Sequence, residues 1–226
     1  MSSKLALGWE HCRLAKIQIS RIREALSILQ AATPDVFGAS AHQFRLNPPV
    51  SESEVEDFEL RFRIDLPAEY REFLTVAGNG GAGPFHGIFP LGNVDDNFDL
   101  REFHEGDGLV GNLAEYFPHK EAWNDLTGQP EEGLANVDEL EYSKQEEMFT
   151  KTYWSSSLVA GAIPICHEGC ALRIELVVTG SERGYLWEDR RSEFGGLEPI
   201  RLADGSKATF ANWYSEWLVA CTSQIR

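Results

Sequence analysis

Four sets of residues in this chain have types and spacings that suggest chemistry. The first is the glycine-rich run Gly78-Asn79-Gly80-Gly81-Ala82-Gly83-Pro84. A phosphate cradle places its glycines before a helix, so that N–H groups at the helix start face the anion, and it adds a Lys-Ser/Thr pair. Here the glycines follow a helical pattern with no lysine near, so the run reads as a helix stop and turn. The second set, Asp95, Asn97 and Asp99, alternates like the first ligands of a calcium loop. Its sixth and twelfth places hold Leu100 and Gly106, where glycine and a bidentate glutamate are required, so calcium is not expected. The third set is Cys166, His167 and Cys170. Structural zinc needs a second ligand pair, and Cys12 and Cys221 sit on helical stripes elsewhere, so these cysteines read as free thiols at strand ends. The fourth set, His104-Glu105 and His167-Glu168, lacks the second histidine of a His-Glu-x-x-His site. No Gly-x-Ser-x-Gly elbow occurs either. The expectation is a protein that is not an enzyme, with no catalytic residue, no metal and no cofactor.

The elements that must position these residues follow from periodicity. Over residues 10–31 the apolar positions Leu14, Ile17, Ile22, Ala25, Leu26 and Leu29 recur at helical spacing, and Pro34 bars continuation. Residues 37–49 read as a connector or a short strand. Ser51 and Ser53 each precede a glutamate by three residues, the capping-box spacing, and open a helix whose buried stripe is Val55, Phe58 and Phe62. Pro67 suits the first turn of the next helix, where its missing N–H would be unpaired anyway. Tyr70, Phe73, Leu74 and Ala77 line that helix, and the two helices form a hairpin. Short helices are expected at 119–126 and 137–149. Residues 158–166 and 172–178 are β-rich runs joined by a turn at 167–169, with a third strand at 185–187. Phe210, Trp213, Tyr214, Trp217, Leu218 and Cys221 make a complete apolar stripe on a terminal helix. Trp123, Trp154 and Trp187 are assigned to neither core nor surface. Helices, then strands, then a helix indicate an α+β fold. The expected plan is an N-terminal helical extension over residues 1–40 and one domain over 41–226.

Composition narrows the function. The 226 residues are 42% hydrophobic and 25% charged, close to a globular average and unlike a disordered chain. No apolar run approaches the roughly 20 residues that a membrane-spanning helix needs. Glu10, His11, Arg13 and Lys16 interrupt the stretch where a signal peptide requires an apolar core, so the expected location is the cytoplasm. The formal charge of −16 disfavours nucleic acid and anionic membranes and favours a basic partner. Most of it comes from one segment: residues 92–150 hold 16 acids against three bases, net −13, while residues 1–91 and 151–226 are near neutral. The candidate partner-binding residues are therefore a first cluster of Asp95, Asp96, Asp99, Glu102, Glu105 and Asp107. A second stretch comprises Asp138, Glu139, Glu141, Glu146 and Glu147. An acidic run alone is more often a solvated surface.

The helical hairpin carries a family resemblance. Pro48-Pro49 before Glu54-Val55-Glu56-Asp57-Phe58-Glu59, then Leu66-Pro67-Ala68-Glu69-Tyr70-Arg71-Glu72-Phe73-Leu74, then Asn79-Gly80-Gly81, resembles the SUKH superfamily. The branch it looks most like is that of the Smi/Knr cell-wall-assembly regulators. The likeness resumes at Gly161-Ala162-Ile163-Pro164-Ile165-Cys166, Gly169-Cys170, Leu176-Val177-Val178-Thr179-Gly180 and Gly184-Tyr185-Leu186-Trp187-Glu188-Asp189. It ends at Phe210, Trp213-Tyr214 and Trp217-Leu218, covering about residues 45–220. The resemblance implies one α+β domain with helices on a mostly antiparallel sheet, and function by binding. It implies an immunity protein that neutralises a cognate polymorphic toxin, often a nuclease, and the acidic segment adds that this toxin is basic. The alternative it leaves open is a scaffold or regulatory module in cell-wall or envelope assembly. It brings no catalytic residue, and the matching positions read as fold determinants.

Overall fold

Local sequence sets the helices. The fold is given by a computed structural model that describes residues 21–95, 98–99, 108–131 and 133–225. Cys12, Leu14 and Ile17 lie outside these. Helix α1 (Ile22–Ala32) buries Ile22, Ala25, Leu26 and Leu29 at the expected spacing and ends on Thr33, one residue before Pro34. The connector contains a single turn, α2 (Ala39–His42). Helix α3 (Glu52–Phe62) starts at a complete capping box: the Glu54 N–H donates to Ser51 Oγ, and the Ser51 N–H donates to the Glu54 carboxylate at 2.9 Å. Helix α4 (Ala68–Glu72) follows Pro67, which stands at its cap, and runs on as a π-helical turn (Phe73–Ala77) that keeps Phe73, Leu74 and Ala77 buried.

The chain then builds a short hairpin, β1 (Asn93–Asp95) with β2 (Phe98–Asp99), and the exposed helix α5 (Glu139–Tyr153). A four-stranded antiparallel sheet follows in sequential order: β3 (Ala162–Gly169), β4 (Leu172–Val177), β5 (Leu186–Asp189) and β6 (Leu197–Pro199). Helix α6 (Phe210–Ser223) closes the chain. Neither sheet edge is bare. Single bridges Leu46↔Gly81↔Ile88↔Cys166 extend the sheet beyond β3, and Trp123↔Leu197 covers β6, which blocks edge-to-edge association. Gly80 and Gly81 have φ of 74° and 97° and lie against the backbone of Phe89 and Leu46, where no Cβ fits. The glycine run is thus the turn that lets these segments pair.

Both faces of the sheet are covered. Ile163, Ile165, Ile174, Leu176 and Leu186 pack into the main core with α1, α3, α4 and α6. Phe73 stands 4.9 Å from the Phe210 ring, and Tyr214 OH donates to Ala82 O at 2.7 Å, so α6 is locked between the hairpin helices and the glycine turn. On the opposite face Ala162, Val177, Trp187 and Leu197 form a second cluster with Phe117 and Val159, flanked by Trp123 and Leu158. Trp187 is therefore core.

Four expectations change. Residues 119–126 form no helix, because Trp123 exchanges backbone hydrogen bonds of 2.8 and 2.7 Å with Leu197 at the sheet edge. The strand expected from residue 158 begins at Ala162, after a 3-10 turn (Ser156–Val159). The β3–β4 turn falls on Cys170 and Ala171, both at positive φ (50° and 63°), which is the geometry a two-residue antiparallel turn demands. Strand β6 was not anticipated; it is three residues long and ends on a proline. Among the described residues, no helix is long and apolar enough to cross a membrane.

Candidate functional site

One helix carries the second acidic stretch. Asp138 caps α5, its carboxylate accepting the Glu141 N–H at 3.0 Å, and Glu139 and Glu141 occupy the first turn, where negative charge meets the positive end of the helix dipole. Gln145 Nε2 donates to Glu141 at 3.0 Å and Tyr142 OH to Glu146 at 3.4 Å, so the helix is braced along its own surface. Glu139, Glu141, Glu146 and Glu147 are all exposed, and they spread around the helix rather than along one face. Of the first cluster, Asp95 and Asp99 belong to the β1–β2 hairpin, with Asn93 opposite Asp99 and Asp95 opposite Phe98. Asp96, Glu102, Glu105 and Asp107 lie outside the described residues.

A further group of acids escaped the charge count because residues 151–226 are nearly neutral. The β5–β6 register sets Glu188 directly opposite Glu198, a like-charge pair that costs stability. Arg190 offsets it, reaching Glu188, Glu193 and Glu198 at 3.7, 3.6 and 3.8 Å. Partial burial, then the neighbouring Glu188, pushes the Glu168 carboxyl up to about 7 despite the opposing Arg190. A groove of about 350 Å³ runs between this edge and Glu121, which meets Arg201 at 3.6 Å. The signal for this group was the strand alternation, read together with pairing that a sequence without its register does not supply.

Beneath the second face lies a buried charged layer. Arg191 holds Asp189 in a two-pronged ion pair at 2.9 and 2.6 Å, donates to Gly108 O at 2.6 Å and lies 4.9 Å over the Trp154 ring. Glu175, a cross-strand neighbour of Trp187, is fully buried, and neither of its oxygens has a hydrogen-bond partner among the described residues. Burial and then Asp189 push its carboxyl up to about 8 against the pull of Arg173 and Arg191. This layer fastens the covering segment to the sheet and is closed to solvent. It binds structure together and offers no surface for substrate.

The remaining reactive side chains sit apart. Cys166 is buried with its thiol directed at Pro84 O (3.3 Å), and burial pushes its ionisation far up; Cys170 is exposed at the hairpin tip, and Cys221 is buried on α6. His86 and His167 stack nearly parallel at 4.7 Å, a ring contact rather than a convergence of lone pairs. Among the described residues, no group of three or more His, Cys, Asp or Glu is arranged to hold a metal ion. Two concavities of about 600 and 340 Å³ flank α1 and share Gln30 and Phe44 as lining; Gln30 is already engaged by the Phe44 carbonyl at 2.7 Å.

The surface that α5 presents is therefore acidic, and it is also apolar: Leu140 and Met148 on the helix and Val137 just before it are exposed. Comparison with known proteins adds a family. The model of the SMI1 / KNR4 family (SUKH-1) matches residues 49–199, the span from the first helical hairpin to the end of β6. No curated protein and no solved structure matches the chain.

Proposed function

Because the chain belongs to the SMI1 / KNR4 family (SUKH-1), we propose that it acts by binding another protein without catalysing a reaction, as a cytoplasmic immunity protein that neutralises a basic toxin domain. The observation that carries this reading is the charge placement, net −13 within residues 92–150 of a chain that is otherwise near neutral. A cognate nuclease already carries Lys and Arg for phosphates. An acidic surface occupies such a site as a polyanion would, and complementary potentials steer the encounter and exclude wrong partners. The exposed Leu140 and Met148 beside the acids supply the apolar contact that an interface core needs and a merely solvated surface lacks. The test is a pull-down from the native host with the full chain as bait. The expected product is a basic polypeptide whose toxicity or nuclease activity is abolished by one equivalent of this protein. A specific partner that is acidic, a basic partner left fully active, or turnover by the purified protein alone would contradict the reading.

A further inference from the structure

Helix α5 has an unusual relation to the rest of the molecule. Tyr142, Gln145, Phe149 and Tyr153, spaced 3, 4 and 4 residues apart, are its least exposed positions. Only the last turn is firmly seated. Phe149 stacks on Tyr153 at 5.0 Å, and Tyr153 OH donates to Asn124 Oδ1 at 2.8 Å and accepts the Gly196 N–H at 3.1 Å. The opposite side carries Leu140, Lys144 and Met148, each four residues from the next, with Leu140 67% and Met148 73% exposed; Val137, just ahead of the Asp138 cap, is 86% exposed. A helix face turned away from its own core gains nothing from leucine or methionine, and the Lys144 stem continues the apolar line between them.

We propose that this outer face of α5 is the docking surface for the partner, its occupant being a basic protein surface with an apolar centre; the proposal rests on the binding reading above. A second copy of this chain fits poorly. Antiparallel pairing of two α5 helices that sets Leu140 on Met148 also sets Lys144 on Lys144 and Glu141 on Glu147, like charges facing like, between molecules of charge −16. A basic partner removes those conflicts, because its cations meet Glu139, Glu141 and Glu147 around the rim while Leu140 and Met148 fill its apolar centre. Leu140 and Met148 act as anchors that slow dissociation, and the rim acids speed association.

The test places the photo-crosslinker p-benzoylphenylalanine at position 140 of the full chain in the native host. The same probe at position 60, a site on α3 that is no less exposed, is the control. Crosslinking from 140 and not from 60 to a basic polypeptide is expected. With that polypeptide purified, Leu140→Ala/Met148→Ala is expected to weaken binding at least about 10-fold through faster dissociation, with an unchanged salt slope. Glu139→Gln/Glu141→Gln/Glu147→Gln is expected to slow association instead. A basic partner that crosslinks only from position 60, or binds the double variant as it binds wild type, overturns the α5 assignment and leaves the binding reading standing. A second copy captured at 140 also overturns it. Absence of any basic partner overturns both. All five residues are exposed, so unchanged thermal unfolding of the variants separates lost docking from lost folding.

Discussion

Glu175 is the residue whose environment departs furthest from its sequence context. It lies between Ile174 and Leu176 in a strand that alternates apolar and charged, a pattern that predicts a solvated second face. The structure covers that face, so Glu175 is buried with no hydrogen-bond partner among the described residues, and its carboxyl is pushed up to about 8 from 4.5. The folded state therefore holds a proton that the unfolded chain releases near pH 4.5. Stability is full below that pH and falls as pH rises through about 8. Glu175→Gln should remove this loss, being equal to wild type near pH 4.5 and more stable by roughly 1–3 kcal/mol at pH 8; urea titrations at the two pH values measure it, and equal stability at both would contradict it. His42 works in the other direction. Burial lowers it to about 4 beside Phe44 and Trp217, so it stays neutral when folded, and stability is lost as pH falls from 6.5 towards 4. His42→Phe should flatten that acid limb and leave the alkaline one unchanged.

Elements whose periodicity matches their burial were legible from sequence, and those held by pairing were not. Of the expected stripe Phe210, Trp213, Tyr214, Trp217, Leu218 and Cys221, all are buried on α6 except Trp217, which is half-buried against the same core, and the Ser51 capping box opens α3. Trp213 lies 6.4 Å from the Phe210 ring within the main core, so Trp213→Ala should cost about 3–5 kcal/mol in chemical denaturation. A loss below about 1 kcal/mol, typical of surface changes, would contradict its place in the core. Ser51→Ala, which removes the cap without touching the core, should cost about 1 kcal/mol. By contrast, the backbone contacts of Trp123 and the three-residue β6 carry no periodic signal. The acids on β5 and β6 became neighbours only through register, which no stretch of sequence encodes locally. Helix α5 was anticipated at 137–149, but its exposed apolar side was not separable from its packed one until Phe149 and Tyr153 were seen to anchor it.

On the scale of the whole molecule, charge rather than a cleft sets the expected behaviour. The fold gathers its apolar residues into two layers around one sheet and leaves an acidic segment that accounts for −13 of −16 charges. If that segment steers a basic partner, its effect is long-ranged and screened beyond about 8 Å at physiological salt, so it acts on the association rate. The most direct measurement is stopped-flow association with the partner at several salt concentrations, comparing wild type with a variant in which Asp95, Asp96, Asp99, Glu102, Glu105 and Asp107 are changed to Asn or Gln. The predicted result is steep slowing with salt for wild type and a flatter dependence for the variant. Identical salt slopes would contradict the account and leave the acidic segment as solvated surface.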